Sequence, residues 1–515
     1  MVGDPRRMGG DLSARARVQG GDGVTAGDEP QTVVRSCEGG EPRASARAEA
    51  TAGATSKSPR DDNLSSTRRR SVLIIASAFP PTGGGGVQRT ARFAKYLSRL
   101  GWRVHVWTTR GTPGLPVDES LLADVPPEVT VHRRDSFDVY STLRSVRPGV
   151  GWRLAAPLRH ILARSVPDER LWWALGSLRP LRRLVRSAGI DVIYSTFSPP
   201  SNHLLAWWMK RRTGVPWVAD FRDLWTDDCT YRGRGIRRWM DRALETRFLR
   251  DADAVVAASE SQRRILARRS SQRTARFHTI TNGFDPDDFA SPPPERERGT
   301  FVLTYVGALS STRVDDTLID GVADFARAVG DEQCAASPFR FDVVGVTSAA
   351  LRERFQARGV PLSWSGYVEH AEAVRRMRAA DVLLLPTAMG RNGDTLIPGK
   401  LFEYLASGRP ILAVGDPEGE ACRLVRRLGG GVTCERSAGA IRAALSELYR
   451  RRAGEGAASP SVRAGAARDL TEFSRAKLAE QLSDVLRGVC RMETCGHQML
   501  RWRRADGQPA TLRLA

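Results

Sequence analysis

Short apolar runs alternate with amphipathic stretches from residue 71 onward, and this alternation predicts α/β structure. The first run, SVLIIASAFPP from Ser71, has the length of a buried strand and ends in proline. A glycine-rich loop then opens the stretch TGGGGVQRTARFAKYLSRLG, whose apolar positions repeat at helical spacing up to Gly101. The next strand is expected at WRVHVWTT. Strand, helix and strand in this order predict a βαβ unit with a parallel sheet.

The same alternation continues to about residue 285 and starts again at residue 300. Further strands are expected at IDVIYST, PWVADFRD and AVVAAS, and then at FVLTYVGAL, FRFDVVGV, VPLSWSGYV, DVLLLPT and RPILAVG. The stretch DFASPPPERERG between the two series has the composition of a linker. We therefore expect two doubly wound, Rossmann-like domains, 70–285 and 300–465, which face each other across a cleft and are joined by a hinge at 286–299.

The two ends of the chain lack this pattern. Residues 1–69 are rich in Gly, Ala, Ser and Arg without apolar periodicity, which predicts a disordered tail or a wrongly assigned start codon. TEFSRAKLAEQLSDVLRGV predicts a helix within 466–489, and 490–515 is expected to be a loose basic tail. No apolar stretch has the length of a transmembrane helix, and no signal peptide is evident.

Charge and cysteine content narrow the functional classes. The net charge of +21 favours an anionic partner, such as nucleic acid, phospholipid or a phosphorylated substrate, although a genome-wide bias toward Arg explains it equally well. The seven cysteines are scattered without CxxC spacing. This distribution argues against a zinc site or a disulfide framework and favours a reducing, cytoplasmic location.

The four glycines from residue 83 to 86 lie between a predicted strand and a predicted helix. Backbone N–H groups at such a turn can crowd around an anion, so Gly84, Gly85 and Gly86 are candidate contacts for a phosphate or a sugar hydroxyl. The pattern is neither GxGxxG nor a P-loop, and no acidic ribose-binding residue follows at the expected spacing, which argues against a nicotinamide dehydrogenase. A flexible turn is the alternative.

A second candidate site is the run GDTLIPGKLFEYLASGRP, from Gly393 to Pro410. The backbone N–H groups around Gly399 and Leu401 would face an anion at the start of the predicted helix, and Lys400 adds a full positive charge. Glu403, one turn later, could accept two hydrogen bonds from vicinal hydroxyls such as those of a ribose. A solvent-exposed amphipathic helix explains the same residues equally well.

This run resembles the C-terminal signature of the family-4-type retaining glycosyltransferases, which have the two-Rossmann-domain GT-B fold. Glu403 matches the second of the family's two glutamates, which is implied to hold the nucleotide ribose. Thr395 stands where the first glutamate is expected, and Asp394 beside it is the implied substitute. The variant PxKLFEY is closest to a subset associated with bacterial surface polysaccharides and lipid-linked glycans.

The resemblance covers most of residues 71–489. TNGFDPDDF resembles the family's hinge signature, and YVGALSSTRVDDTLI resembles the loop that carries Arg and Lys for the donor diphosphate. Arg313 stands at the Lys position, whereas Ala308 replaces the Arg, so Lys400 is the implied second cation.

The resemblance implies transfer of a sugar from a nucleoside diphosphate sugar to a glycan or lipid-linked acceptor, with retention. The donor would bind mainly to the C-terminal domain and the acceptor to the N-terminal domain. Arg313 and Lys400 would stabilise the leaving diphosphate, with no metal or other cofactor required.

Two further residues are candidates for the acceptor side. A carboxylate of the motif DFRD, Asp220 to Asp223, could orient an acceptor hydroxyl or act as a base, and Asp220 is the candidate chosen; the alternative is an Arg–Asp pair that fixes the loop. His203 at a helix start could contact the acceptor or the donor sugar, and a structural hydrogen-bonded histidine is the alternative.

The stretch 141–187 combines many arginines with Trp and Leu and has only Asp168 and Glu169 as opposing acids. This composition suits a helix on anionic lipid, where each Arg contributes about 1 kcal/mol. We expect the protein to be peripheral on the inner face of the plasma membrane. A solvated basic face is the alternative.

Three rival functions remain open. One is a nucleotide-sugar epimerase-type hydrolase, whose carboxylate and histidine pattern is not evident. A second is a basic nucleic-acid-binding protein, which explains the charge, but no recognition-module signature is present and we expect no nucleic acid partner. The third is a catalytically degenerate glycan- or nucleotide-sugar-binding relative, suggested by Ala308 and Thr395.

Overall fold

The computed structural model describes most of the chain from residue 68 onward. The described ranges are 68–111, 115–135, 166–270, 276–297, 299–331, 338–453 and 469–501. The tail expected at 1–69, apart from its last two residues, and the larger part of the arginine-rich stretch 141–187 lie outside these ranges, as do residues 502–515.

The first domain is built on a seven-stranded parallel sheet of order β3-β2-β1-β4-β5-β6-β7. Its central strands are buried on both faces, as expected where helices cover a parallel sheet. The strands are β1 (Ser71–Ile75), β2 (Arg103–Thr109), β3 (Thr130–Arg134), β4 (Val192–Phe197), β5 (Trp217–Phe221), β6 (Ala254–Ala257) and β7 (Phe277–Thr279).

The helices of this domain lie between the strands, as the sequence pattern predicts. Helix α3 shows how local sequence sets the bounds, because proline occupies its first turn and Gly214, with a φ of 77°, ends it in the left-handed conformation. The helices are α1 (Gly85–Arg99), α2 (Leu171–Ser187), α3 (Pro200–Thr213), α4 (Gly235–Asp251) and α5 (Glu260–Ser270).

The second domain has a six-stranded parallel sheet of order β10-β9-β8-β11-β12-β13. Its strands are β8 (Phe301–Val306), β9 (Phe339–Val344), β10 (Leu362–Gly366), β11 (Val382–Pro386), β12 (Ile411–Val414) and β13 (Gly431–Cys434). Its helices are α6 (Asp316–Asp331), α7 (Ala349–Gln356), α8 (His370–Ala379), α9 (Lys400–Ala406), α10 (Glu420–Arg427) and α11 (Ala438–Ala453).

Both sheets confirm the predicted doubly wound, Rossmann-like architecture. The order of strands reverses between β1 and β4 in the first sheet and between β8 and β11 in the second. Ligands of such sheets bind at the carboxyl ends of the strands beside this reversal. The glycine loop follows β1 there, and the loop with Arg313 follows β8.

The last helix, α12 (Arg475–Arg501), returns from the second domain to the first. Its apolar face, which includes Leu478, Leu482 and Leu486, joins the core that also contains Val72 and Ile74 of β1. This helix begins later than the predicted 466 and continues past 489 into the predicted loose tail. None of the described helices is both long enough and apolar enough to cross a membrane.

Candidate functional site

Lys400, at the start of α9, folds back over the end of β8. Its Nζ lies 3.7 Å from the centre of the Tyr305 ring, a cation–π contact. A Cβ atom at Gly307 would lie only 2.8 Å from the same Nζ, and the φ of Gly307 is +114°. Glycine is therefore required at residue 307 for Lys400 to reach this edge of the sheet.

Arg313 and Lys400 form a pair of cations at this edge. Burial, and then the charge of Arg313, lower the pKa of Lys400 well below its ordinary value of 10.5, while Glu403 opposes the shift. An anion bound between the two cations would relieve their repulsion. The structure thus brings together both residues that the sequence suggested for a diphosphate.

Arg436, which the sequence analysis did not identify, positions the loop that carries Arg313. Its Nη1 donates to the carbonyl oxygen of Arg313 at 3.0 Å, and its Nη2 donates to that of Thr387 at 2.9 Å. These two carbonyls follow β8 and β11, the strands on either side of the order reversal. Arg436 comes two residues after β13, so only the fold reveals its role.

Glu403 lies on the half-buried face of α9, in a strongly cationic environment. It interacts electrostatically with Lys400, His370 and Arg475. The neighbouring side chains Phe402 and Tyr404 are buried, and the Tyr404 hydroxyl accepts a hydrogen bond from the backbone N–H of Val306 at 2.8 Å. The helix that carries Glu403 is therefore anchored to β8.

The other predicted donor residues on this loop differ in exposure. Thr395 is buried, and its hydroxyl donates to the carbonyl of Asn392 at 2.7 Å, whereas Asp394 is exposed. The carbonyl of Thr395 accepts a hydrogen bond from Ser259 of the first domain at 2.7 Å. A threonine hydroxyl used in its own turn is a weak substitute for a carboxylate, so Asp394 is the accessible acid beside this turn.

Gly399 and Leu401 are placed so that only their backbones could contact a ligand. The Leu401 side chain is fully buried in the core of the second domain. A Cβ atom at Gly399 would lie 3.8 Å from the side chain of Asn282, which precedes the expected hinge. The start of α9 therefore lies directly beside the crossing between the domains.

The glycine loop is accessible at two of its three predicted contact residues. A Cβ atom at Gly84 or Gly85 would meet no described atom within 4 Å, and Gly84 has a φ of +114°. Gly86 differs, because the guanidinium of Arg222 lies against it, 1.7 Å from where a Cβ would be. Gly84 and Gly85 thus present open backbone at the start of α1, whereas Gly86 is covered by Arg222.

The structure places Asp220 in the interior rather than at an accessible surface. Its carboxylate is fully buried and accepts two hydrogen bonds from Arg89, at 2.9 and 3.0 Å, and one from the Tyr194 hydroxyl at 2.5 Å. Arg89 also donates to the carbonyls of Ile280 and Thr281. This geometry favours the structural alternative for Asp220. Its partner Arg89 fixes the segment that follows β7 and leads into the expected hinge.

His203 is likewise a core residue in this structure. Its ring is fully buried, Nδ1 lies 2.7 Å from the Ser195 hydroxyl, and the ring packs 4.6 Å from that of Phe221. Burial lowers the pKa of His203 from 6.5 to about 3, with Asp220 opposing the shift. A neutral, packed imidazole favours the structural alternative over a direct contact with substrate.

Asp223 is the carboxylate of the DFRD motif that remains accessible. Its side chain is 42% exposed, and its nearest cation is Arg222, at 3.5 Å. Its partial burial raises the pKa of the Asp223 carboxyl, as do the charges of Asp228 and Asp220, whereas Arg222 and Arg313 oppose the shift. Asp223 of the first domain and Arg313 of the second therefore interact electrostatically across the junction, whereas Asp220 was the carboxylate chosen from the same motif in the sequence.

A buried network of charges joins α1 to the hinge signature. Arg92 contacts Asp285 at 2.5 Å and Asp288 at 2.7 Å, and Lys95 contacts Asp285 at 3.1 Å. Arg89, Arg92 and Lys95 are three residues apart, so they lie along one side of the helix. This contact was not predicted from the sequence, although the spacing RxxRxxK and the acidic run DPDD could have indicated it.

Side chains of the second domain close over the glycine loop. The Tyr367 hydroxyl donates to Asp118 at 2.8 Å and would lie 2.4 Å from a Cβ atom at Gly83. Nearby, the two ring nitrogens of His370 lie 3.0 Å from Gln88 of α1 and 3.0 Å from Asp288. The chain after β10 thus contacts the glycine loop and the first turn of α1.

Comparison with known proteins assigns both domains. Residues 84–283 match the family described as "Glycosyl transferase 4-like domain", and residues 300–451 match that described as "Glycosyl transferases group 1". The chain is 23% identical over 211 residues to TuaH of Bacillus subtilis (strain 168), a protein named for glycosyl transfer in teichuronic acid biosynthesis. This match covers 39% of the chain and 50% of the length of that relative.

Solved structures share the fold over most of the chain. A glycosyltransferase from Rickettsia africae ESF-5 superposes with a TM-score of 0.56 at 13% identity, covering 82% of this chain and 99% of its own. Anabaena HepE, solved with UDP and glucose, has a TM-score of 0.53 at 15% identity, covering 81% and 98%. WaaG, named for lipopolysaccharide biosynthesis, has a TM-score of 0.54 at 15% identity, covering 81% and 99%. The chain therefore has the GT-B fold, and in it a glycosyl transferase 4-like domain precedes a glycosyl transferases group 1 domain.

Proposed function

We propose that the enzyme uses a nucleoside diphosphate sugar as its donor. The observation that carries this proposal is the cation pair of Lys400 and Arg313 beside Glu403, all at the carboxyl end of the second sheet. Two cations suit a diphosphate, and a carboxylate one helical turn away suits the two hydroxyls of a ribose. The fold neighbour HepE, which was solved with UDP and glucose, is consistent with this donor class.

The two cations would also stabilise the leaving group of the reaction. Negative charge grows on the diphosphate as the sugar departs, and in this proposal Lys400 and Arg313 stabilise it. The open backbone of Gly84 and Gly85 and the accessible carboxylate of Asp223 lie on the opposite, acceptor side. In this scheme Asp223 replaces Asp220 as the candidate that orients the acceptor hydroxyl.

The acceptor in this proposal is a glycan or a lipid-linked glycan of the bacterial surface, and transfer proceeds with retention. The relative TuaH, named for teichuronic acid biosynthesis, supports the polymer class. Retention rests on the family resemblance of the run from Gly393 to Pro410. Asp394, which is exposed beside the buried Thr395, would contact the donor sugar in place of the family's first glutamate.

Incubation of the full chain with a panel of nucleotide sugars tests the proposal. We expect one donor to release its nucleoside diphosphate, and an added glycan or lipid-linked acceptor to accelerate this release. NMR of the anomeric proton in the product would report retention or inversion. Binding of a nucleotide sugar without turnover on any acceptor would instead support the degenerate, non-catalytic alternative suggested by Ala308 and Thr395.

A further inference from the structure

Three exposed apolar side chains lie together at the start of α4. Ile236 is 76% exposed, Trp239 70% and Met240 38%. Positions separated by three and four residues share one face of a helix, so these side chains form a single apolar ridge. Isolated apolar residues are common on protein surfaces, but an exposed tryptophan beside an isoleucine and a methionine indicates a contact surface.

The ridge is surrounded by positive charge. Arg232, Arg234 and Arg242 are exposed around it. The single acid in this part of α4, Asp241, is 1% exposed and accepts hydrogen bonds from Arg237 and the Tyr231 hydroxyl, both at 2.7 Å. Asp241 is therefore turned away from solvent, and the surface around the ridge carries the charge of the arginines.

Helix α2 presents a second surface of the same composition. Trp172 is 40% exposed and Leu175 38% exposed at its beginning, whereas the neighbouring Trp173 is buried in the core. Four exposed arginines continue this face toward the end of the helix: Arg179, Arg182, Arg183 and Arg186. Their spacing of three and four residues keeps them on one side of α2.

The two helices begin close to each other. The guanidinium of Arg237, in the first turn of α4, donates to the carbonyl oxygen of Pro167, four residues before α2 begins. We call the apolar ridge of α4 together with the exposed face of α2 the α4–α2 surface. It combines apolar side chains at the two helix starts with arginines along both helices.

We propose that the α4–α2 surface docks the enzyme on an anionic lipid bilayer. Ile236 and Trp239 would insert between the lipids, because an indole and an aliphatic side chain both partition into the interface. The arginines would lie at the level of the headgroup phosphates. Nucleic acid would satisfy the arginines but not the exposed isoleucine and methionine, so the observations favour lipid.

Vesicle sedimentation of the full chain tests this proposal without any nucleotide sugar, so its outcome is separate from that of the donor proposal. We expect binding to phosphatidylcholine vesicles that contain phosphatidylglycerol, little binding without it, and weaker binding at high salt. The double variant Ile236→Ser/Trp239→Ser should bind at least about tenfold more weakly, since it loses the inserted side chains. The variant Arg234→Glu/Arg242→Glu should lose binding by a similar factor.

Matched controls lie on the second domain. Arg442→Glu/Arg450→Glu makes the same change of charge at two exposed positions of α11, and Trp364→Ser removes another tryptophan of 42% exposure. Both should bind vesicles as the wild type does. The proposal is overturned if the wild type does not bind anionic vesicles, if the α4 variants bind equally well, or if those variants instead abolish self-association or binding to nucleic acid.

Discussion

Arg89 shows how one buried side chain can determine the geometry of the domain junction. Its guanidinium joins α1, the end of β5 and the carbonyls at residues 280 and 281. Removal of one partner from a buried ion pair leaves the other charge without compensation, and this costs far more than the loss of an exposed pair. Asp220 therefore contributes to function through the fold.

The variant Asp220→Asn should lower the free energy of unfolding by about 3–5 kcal/mol, because Arg89 would remain buried without a charged partner. Urea denaturation measures this loss. The control is Asp135→Asn, which removes the partner of Arg110 from a pair with side chains 69% and 81% exposed. That change should cost less than about 1 kcal/mol. Equal effects of the two substitutions would contradict the structural role of Asp220.

Residue roles were the part of the site that sequence predicted least well. Lys400 and Glu403 could be proposed from the sequence because they are close together and share one helix. Asp220 and His203 were predicted at strand and helix ends, where ligands bind. Asp220 is buried against Arg89, which is distant in sequence, and His203 is packed against Phe221, an apolar side chain that no polar pattern marks. No local pattern distinguishes a buried carboxylate from an accessible one such as Asp223.

At the scale of elements, two loops form the proposed diphosphate site, and Arg436 connects them. The loop after β8 carries Arg313, and the loop after β11 leads to α9. Arg436 holds the carbonyls of Arg313 and Thr387 together at 3.0 and 2.9 Å. A planar guanidinium can donate to both carbonyls at once, whereas an ammonium cannot reproduce this fork.

The substitution Arg436→Lys should therefore weaken binding of the donor diphosphate by about tenfold while the charge is kept, since Arg313 loses its fixed position. Isothermal titration with nucleoside diphosphates measures the change. Arg442→Lys, at an exposed position on α11, is the matched control and should bind as the wild type does. Unchanged affinity of Arg436→Lys would contradict the role of Arg436 in positioning Arg313.

The strands that sequence missed share a physical reason. β3, β7 and β13 are edge strands, and each is only partly buried. Continuous apolar runs, from which the strands were predicted, arise where a strand is covered on both faces, as β1 and β8 are. These three strands lack this signal, so their residues look like those of a loop, whereas the edge strand β10 was predicted from VPLSWSGYV.

For the whole molecule, α12 and the hinge contacts determine how the domains meet. The sequence predicted the helix, but its amphipathic pattern could not reveal that Leu478 and Leu482 pack on the first domain. His370 of α8 also contacts Gln88 and Asp288 of the first domain. These contacts hold the second domain against the glycine loop.

The His370 contact should make the domain junction sensitive to pH. Hydrogen bonding to Asp288, together with the charge of Glu403, raises the pKa of His370 above 6.5 despite its burial and the opposing charge of Arg92. Because the native pKa is raised, the stabilisation is complete below the ordinary value and is lost as pH rises through the native pKa. The difference in melting temperature between wild type and His370→Gln should therefore shrink with rising pH. A difference independent of pH would contradict this role.

Nucleoside diphosphate binding to wild type and Glu403→Ala is the measurement that tests the central claim most directly. If the carboxylate holds the ribose hydroxyls, the substitution should weaken binding by roughly tenfold to a hundredfold, the loss expected for hydrogen bonds to a charged acceptor. Glu447→Ala on α11 provides a control outside the site. Isothermal titration should show wild-type affinity for the control and strongly reduced affinity for Glu403→Ala. Equal affinity of Glu403→Ala and wild type would contradict a nucleotide site at α9.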